Sequence, residues 1–368
     1  MAIVLQRGDA VGLWQIGLII NRETKMISRQ IARRTLLTRT GFGLGAAIGA
    51  GLGSGVELAE AKAGPGGDVW SQGYWANKGS VKLAMYRKWP GNLGGTPDKP
   101  LPILFLVHGS SLSAQSSFDL DVPGSEYSMM NVFARSGFDV WTMDHENYGR
   151  SSQTSSNSDI ASGVEDLAAG LDVVRRETGR GKVHMFGESS GAIRAGAFAQ
   201  QAPDRVERLI LTAFTYKGEG AAEIGRRRAR IDELRANPKR KRDAAMIRSI
   251  FTRDGHPTLY DPAMTDALIA SEMQFGDNVP SGTYVDMAVN LPLVDPAKVR
   301  CPVLMTRGEW DGNSTDDDLL EFFRKVPNGD RQYVILPNTA HSQGFSKNRQ
   351  LLWYAVKNFL DAPAPVAS

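Results

Sequence analysis

The chain has 368 residues, 42% hydrophobic and 23% charged, with a formal net charge of +3 and a single cysteine. That length holds one large α/β domain with an insertion, or two ordinary domains, and the lone Cys301 excludes an intramolecular disulfide and a four-cysteine metal site. Residues 1–63 carry eight Lys or Arg against four Asp or Glu, so the rest of the chain is close to neutral and no global field argues for nucleic acid.

The N-terminal segment reads as an address. Arg33-Arg34-Thr35-Leu36-Leu37 resembles a twin-arginine export signal; a glycine-rich, mildly apolar run follows from Gly41 to Val56, then Ala61-Lys62-Ala63 in a pattern a signal peptidase accepts. The resemblance implies a periplasmic or secreted protein, with residues 1–63 removed and Met26 the expected true start. An uncleaved anchor is the competing reading, but 16 glycine-broken residues fall short of the roughly 20 that a spanning helix needs. No stable membrane span is expected in the mature protein.

Beyond residue 64, short β-rich runs alternate with amphipathic segments. Trp70–Trp75 and Val81–Arg87 read as two opening strands joined near Asn77-Lys78-Gly79. Leu101–Val107 and Phe138–Met143 are continuous apolar runs, as strands buried on both faces of a parallel sheet require. Ile160, Val164, Leu167, Leu171 and Val174 recur at helical spacing between Ile160 and Arg176. Val183–Phe186, Arg208–Ala213, Pro302–Thr306 and Tyr333–Leu336 complete the strands, and Arg349–Leu360 is a closing helix. This alternation predicts an α/β fold with a doubly wound, mostly parallel sheet. Residues 216–296 break the rhythm with helical patterns at Ala221–Ala236, Arg242–Phe251 and Pro262–Phe275, and no convincing buried strand. They are expected to form a helical cap between core segments 64–215 and 297–368.

The chemistry is concentrated at strand ends. Gly187-Glu188-Ser189-Ser190-Gly191 is a G-x-S-x-G motif placed directly after the Val183 strand and before the small-residue helix Ala192–Gln200. That setting is what a nucleophile elbow requires, and it lifts a common pattern above chance. His108-Gly109-Ser110-Ser111 ends the Leu101 strand, and Asp144-His145-Glu146-Asn147-Tyr148-Gly149-Arg150-Ser151 ends the Phe138 strand. With these motifs the chain resembles the α/β-hydrolase superfamily from about residue 80 to 360.

The resemblance implies Ser189 as nucleophile and the backbone N–H groups of Ser110 and Ser190 as oxyanion donors, with His108 ordering the loop. It implies His341, in the loop after the last strand, as general base, and Asp311 of Gly308-Glu309-Trp310-Asp311 as the orienting acid. Glu309 is the nearest competitor, while Asp316, Asp317 and Asp318 read as helix N-terminal charge. The Asp144 stretch resembles the family's D-x-x-G-x-G-x-S, from which Asn147 and Arg150 depart, and a structural role is expected there. Ser111, Phe214 and Tyr216 are candidate pocket-lining residues.

A serine at the elbow argues against the superfamily's aspartate-dependent dehalogenases and epoxide hydrolases. The expected activity is hydrolysis of a carboxylic ester or lactone, with C–C bond or amide hydrolysis as the alternative and a non-enzymatic binding protein as the other class. No metal or organic cofactor is implied, and the expected partner is a small-molecule substrate. The basic stretches Arg226-Arg227-Arg228 and Lys239-Arg240-Lys241-Arg242 read first as a solvated helix face and second as an attractor of anionic substrates. Without interleaved aromatics they do not suggest nucleic-acid binding.

Overall fold

The computed structural model describes residues 62–63, 68–93 and 100–364, within one compact unit, Gly55–Ser368. Apart from Lys62 and Ala63, residues 1–63, expected to act as an export signal, lie outside the described residues.

Nine strands form one sheet: β1 Lys62–Ala63, β2 Val69–Lys78, β3 Val81–Pro90, β4 Ile103–Val107, β5 Asp139–Met143, β6 Val183–Glu188, β7 Val206–Thr212, β8 Val303–Gly308 and β9 Arg331–Leu336. Their order in space is β1-β2-β3-β5-β4-β6-β7-β8-β9. The β1–β2, β2–β3 and β3–β5 pairs are antiparallel, and every pair from β5 onward is parallel. All five β4 residues and all five β5 residues are buried, because helices cover both faces.

On one face lie α2 (Ile160–Thr178), α3 (Ser190–Gln201) and α9 (Asp316–Lys325), packed through Leu167, Leu171, Ile193 and Phe322. On the other lie α1 (Met129–Arg135) and α10 (Arg349–Asp361), packed through Phe133, Leu352, Val356 and Phe359. The α2 helix starts where the Asp159 side chain accepts from the Ser162 N–H and stops at Gly179, with φ 71. A capping carboxylate and a left-handed glycine are the usual start and stop. No helix among the described residues is long and apolar enough to cross a membrane.

The segment between β7 and β8 carries α4 (Ala222–Arg228), α5 (Ile231–Ala236), α6 (Ala244–Ile250), α7 (Pro262–Met273) and α8 (Gly282–Val289). It also holds a two-stranded antiparallel ribbon, Lys239–Lys241 with Asn278–Pro280. Of the basic stretches expected as a solvated helix face, Arg226–Arg228 are helical, in α4, while Lys239–Lys241 form a strand of this ribbon. Strand alternation turns successive side chains to opposite sides, so Arg240 is drawn inward while Lys241 is exposed, and Arg242 beyond the ribbon is buried. Ile247, Ile250, Phe251, Met264 and Leu268 of this cap share an apolar cluster with Leu112, Leu120, Ala340 and Phe345 of the core loops. Each such buried side chain contributes about 1.5–3 kcal/mol, enough to seat the cap on the loops that carry the site.

Candidate active site

β6 ends at Glu188, Ser189 turns with φ 58 and ψ −124, and α3 begins at Ser190. Holding a non-glycine residue in that backbone region costs about 1–3 kcal/mol, so the surroundings must enforce it. They do so by close approach. A Cβ on Gly187 would stand 2.4 Å from the Gly191 carbonyl oxygen, and one on Gly191 would stand 2.1 Å from the Val107 carbonyl oxygen. The two outer glycines let β4, β6 and α3 meet and leave the Ser189 hydroxyl projecting from the turn.

Loops from the carboxyl ends of β8 and β9 come to the same edge. His341 Nε2 lies 2.9 Å from Ser189 Oγ, and His341 Nδ1 lies 2.9 Å from Asp311 Oδ1. Asp311 Oδ1 also accepts the Asn313 N–H at 2.8 Å. Burial alone would push the Asp311 carboxyl up, but His341, the Asn313 N–H and Arg307 outweigh it and hold it below the ordinary aspartate value. An ionised Asp311 accepts a hydrogen bond from Nδ1–H, which keeps that proton on Nδ1 and leaves Nε2 to accept from Ser189 Oγ–H. Glu309 is occupied elsewhere, accepting the Asn338 N–H at 2.8 Å. Asp318 accepts from the backbone N–H groups of Tyr216, Lys217 and Gly218.

The loop after β4, expected to supply the oxyanion donor Ser110, is fixed by four side chains. Tyr148 Oη donates to the Ser110 carbonyl at 3.0 Å and Arg240 Nη2 donates to it at 2.7 Å, while Ser110 Oγ donates to Ser190 Oγ at 2.7 Å. Thr283 Oγ1 donates to Ser110 Oγ at 2.8 Å. The Ser110 and Ser190 N–H groups donate to no group among the described residues. His108 is fully buried; its Nε2 accepts the His145 N–H at 3.1 Å and its Nδ1 lies 2.8 Å from the Gly109 carbonyl. Burial, with His145 and Arg194 nearby, holds it well below the ordinary histidine value, so it stays neutral. Asn147 has φ 68. Asparagine is the non-glycine residue best suited to that region, which explains why this chain can depart from the family's glycine. Gly149 cannot be replaced so easily, since a Cβ there would stand 2.2 Å from Asp144 Oδ2.

The pocket over Ser189 is lined by Gly109, Ser110 and Ser111 from below and by Arg227, Ile250, Arg253 and Tyr284 from the cap. Ser111 thus lies where it was expected. Phe214 and Tyr216 do not: they stack edge-on against Phe322, at 4.9 and 5.3 Å between ring centres, inside the core. The chain leaving β7 turns at Ala213 with φ 51, so the residues after it point under the sheet edge instead of toward the pocket mouth.

Sequence reasoning missed several pocket groups. Glu188, the variable residue of the motif, lines the pocket beside Ser189, and burial pushes its carboxyl up to about 7. Asp254 Oδ2 accepts the His341 N–H at 3.3 Å. Tyr284 sits among Arg227, Arg240 and Arg253; burial alone would raise its phenol, but these guanidiniums outweigh it and bring it down to about 6. Glu188 comes from the end of β6, at a position the motif leaves free, while no local pattern marks Asp254 and Tyr284, because they reach the site from different parts of the cap. Among the described residues no group of three or more His, Cys, Asp or Glu is placed to hold a metal.

Residues 102–236 match a family model described as alpha/beta hydrolase fold. No curated protein matches the chain in sequence. Solved structures similar to it include a hydrolase from Pseudomonas aeruginosa PA01, with 20% identity and a TM-score of 0.59, covering 79% of this chain and 98% of that one. A 2-hydroxy-6-oxo-6-phenylhexa-2,4-dienoate hydrolase from Rhodococcus sp. strain RHA1 is 15% identical with a TM-score of 0.58, covering 80% and 100%. A thermophilic esterase from Thermogutta terrifontis is 19% identical with a TM-score of 0.56, covering 78% and 98%. The mostly parallel sheet, the strand-to-helix turn at Ser189 and these matches together show that the chain has the α/β-hydrolase fold.

Proposed function

We propose that this protein is a serine hydrolase that cleaves a carboxylic ester or lactone through an acyl-enzyme on Ser189. His341 removes the Ser189 proton as the hydroxyl attacks the carbonyl, then returns it to the leaving alcohol. Asp311 keeps the imidazole in the required tautomer and stabilises the imidazolium. The N–H groups of Ser110 and Ser190 receive the developing oxyanion, and each such donor is worth about 2.7–4 kcal/mol of barrier. Water activated by His341 then releases the acid.

The observation that carries this reading is the relay of two 2.9 Å contacts from Asp311 Oδ1 through His341 to Ser189 Oγ. It ends on a hydroxyl held on a strained turn. The test is labelling with a fluorophosphonate followed by intact-mass measurement. One adduct on the wild type and none on Ser189→Ala is the expected result; an adduct that survives Ser189→Ala would move the nucleophile elsewhere. Residues 1–63 are proposed to direct twin-arginine export to the periplasm. Sequencing the exported protein should find Gly64 first, and replacing both Arg33 and Arg34 by lysine should leave the precursor in the cytoplasm.

A further inference from the structure

The cap brings three guanidiniums together without pairing any of them to a carboxylate: Arg227 and Arg253 line the pocket over Ser189, and Arg240 lines the cleft that adjoins it. Arg227 donates only to Asn313 Oδ1 at 3.2 Å and toward Met287 Sδ at 3.4 Å. Arg240 donates to the Ser110 carbonyl and, at 3.3 Å, to Ser111 Oγ, and its buried Nε has no partner. The Arg253 guanidinium makes no hydrogen bond among the described residues, and its Nε is buried. Arg227 and Arg240 face the Tyr284 ring at 4.5 and 3.9 Å, so the aromatic face gathers them around one space.

None of the nearby acids forms an ion pair with these three guanidiniums. Glu223 pairs with Arg226 and Asp311 faces His341, while Asp254 gives Oδ2 to the His341 N–H, keeps Oδ1 buried without a partner, and acts on Arg253 only through space. Arg242, two residues from Arg240, provides an internal contrast: it is buried against Glu272, which also accepts from the Ser113 N–H. Where this cap buries a cation for structure, it supplies the counter-ion. Buried cations left without one are unfavourable unless a ligand completes them.

The approach has the same sign. A cleft of about 780 Å³ on the cap shares Arg227, Ile250, Arg253 and Tyr284 with the pocket. Seven Lys or Arg side chains line it against two acids, Glu223 and Glu233. The cavity at Ser189 has a volume of about 50 Å³ and shares four lining residues with this larger cleft, so a substrate longer than the cavity has the basic cleft to extend into.

We propose that the substrate carries a free carboxylate in addition to the bond being cleaved, and that this carboxylate is held by Arg227, Arg240 and Arg253 beside Tyr284. This rests on the hydrolase reading above and narrows its substrate to half-esters of dicarboxylic acids or carboxylated lactones. Guanidinium forks match a carboxylate with paired, charge-assisted hydrogen bonds, and the depressed Tyr284 phenol shows that the same three guanidiniums favour an anion at this place.

The test compares mono-4-nitrophenyl esters of succinate, glutarate and adipate with neutral 4-nitrophenyl esters of matched length. At one chain length the half-ester should show a kcat/KM higher by roughly 30-fold or more, and that ratio should collapse in Arg253→Gln and in Arg227→Gln. Should either variant fail to fold, calorimetry on the full-length Ser189→Ala protein reads the same site. Free dicarboxylate of the preferred length should bind and weaken with salt, while the corresponding neutral diamide should not bind. Fluorophosphonate labelling of Ser189 together with preference for neutral esters at every length, or with no dicarboxylate binding, would overturn this proposal alone. Absence of labelling would instead overturn the hydrolase reading.

Discussion

The two sides of the pocket are built on opposite principles. Below, on the sheet side, the groups are tightly partnered: Ser189 to His341, His341 to Asp311, and the Ser110 carbonyl to both Tyr148 and Arg240. Above, on the cap side, Arg227, Arg240 and Arg253 make no ion pair with any acid among the described residues, and the Tyr284 phenol beside them is the group that answers their charge. A partnered constellation is preorganised for a bond-breaking step, because its dipoles need not move as charge develops. An unpartnered one stores binding energy for a group that arrives from outside. On the proposed reading, chemistry and selection of the substrate fall to separate elements, joined where Arg240 and Thr283 of the cap bond to Ser110.

Breaking the sheet side should produce the largest effects. Ser189→Ala and His341→Ala are each expected to lower kcat on a responsive 4-nitrophenyl ester by about 10⁶-fold, since members of such a relay fail as a unit. Stopped assays with active-site titration would check it. Asp311→Asn should cost about 10⁴-fold by stabilising the wrong imidazole tautomer, whereas Glu309→Gln, whose carboxylate holds only the Asn338 N–H, should cost less than about tenfold. A larger loss from Glu309→Gln would reverse their roles.

The contrast within the cap can be sharpened by stability. Arg242→Met leaves Glu272 buried without its cation and should cost about 3–5 kcal/mol of unfolding free energy. Arg253→Gln removes a cation that makes no side-chain hydrogen bond or ion pair, so denaturant titration should find it within about 1 kcal/mol of wild type.

Two titrations give the smallest and most local readouts. Glu188 holds its proton more tightly when folded, at about 7 against an ordinary 4.5. Its contribution to stability is therefore complete below pH 4.5 and is lost as pH rises through about 7. Melting temperatures of wild type and Glu188→Gln should diverge across that interval, with the variant showing the flatter profile. Tyr284 should ionise near pH 6, visible as phenolate absorbance that is missing in Tyr284→Phe. A bound dicarboxylate should move that transition upward, because it supplies the negative charge that the phenolate otherwise provides.

What was legible in the sequence follows from the range of the forces involved. The runs Leu101–Val107 and Phe138–Met143 announce buried parallel strands because hydrophobic continuity is local and needs no knowledge of neighbours. Gly187 and Gly191 mark a sharp turn because only glycine tolerates the approach of Gly191 and Val107 carbonyls. Chain order then indicates which loops can supply His341 and Asp311, since all of these loops leave the carboxyl ends of adjacent strands. The tail of β7 was misjudged: Phe214 and Tyr216 are aromatic and follow a strand end, yet the turn at Ala213 sends them against Phe322.

The sequence by itself determined the sheet, the strand-to-helix turn at Ser189 and the candidate residues of the relay, because each depends on short-range pattern or on order along the chain. Only the tertiary structure decided that Arg227, Arg240, Arg253 and Tyr284 share one space, and that Arg242, so close in sequence, has Glu272 while Arg240 has no acid. A run of basic residues reads the same whether it faces water, a carboxylate or a pocket. Its meaning lies in which charges the fold brings to it, and those charges come from across the cap.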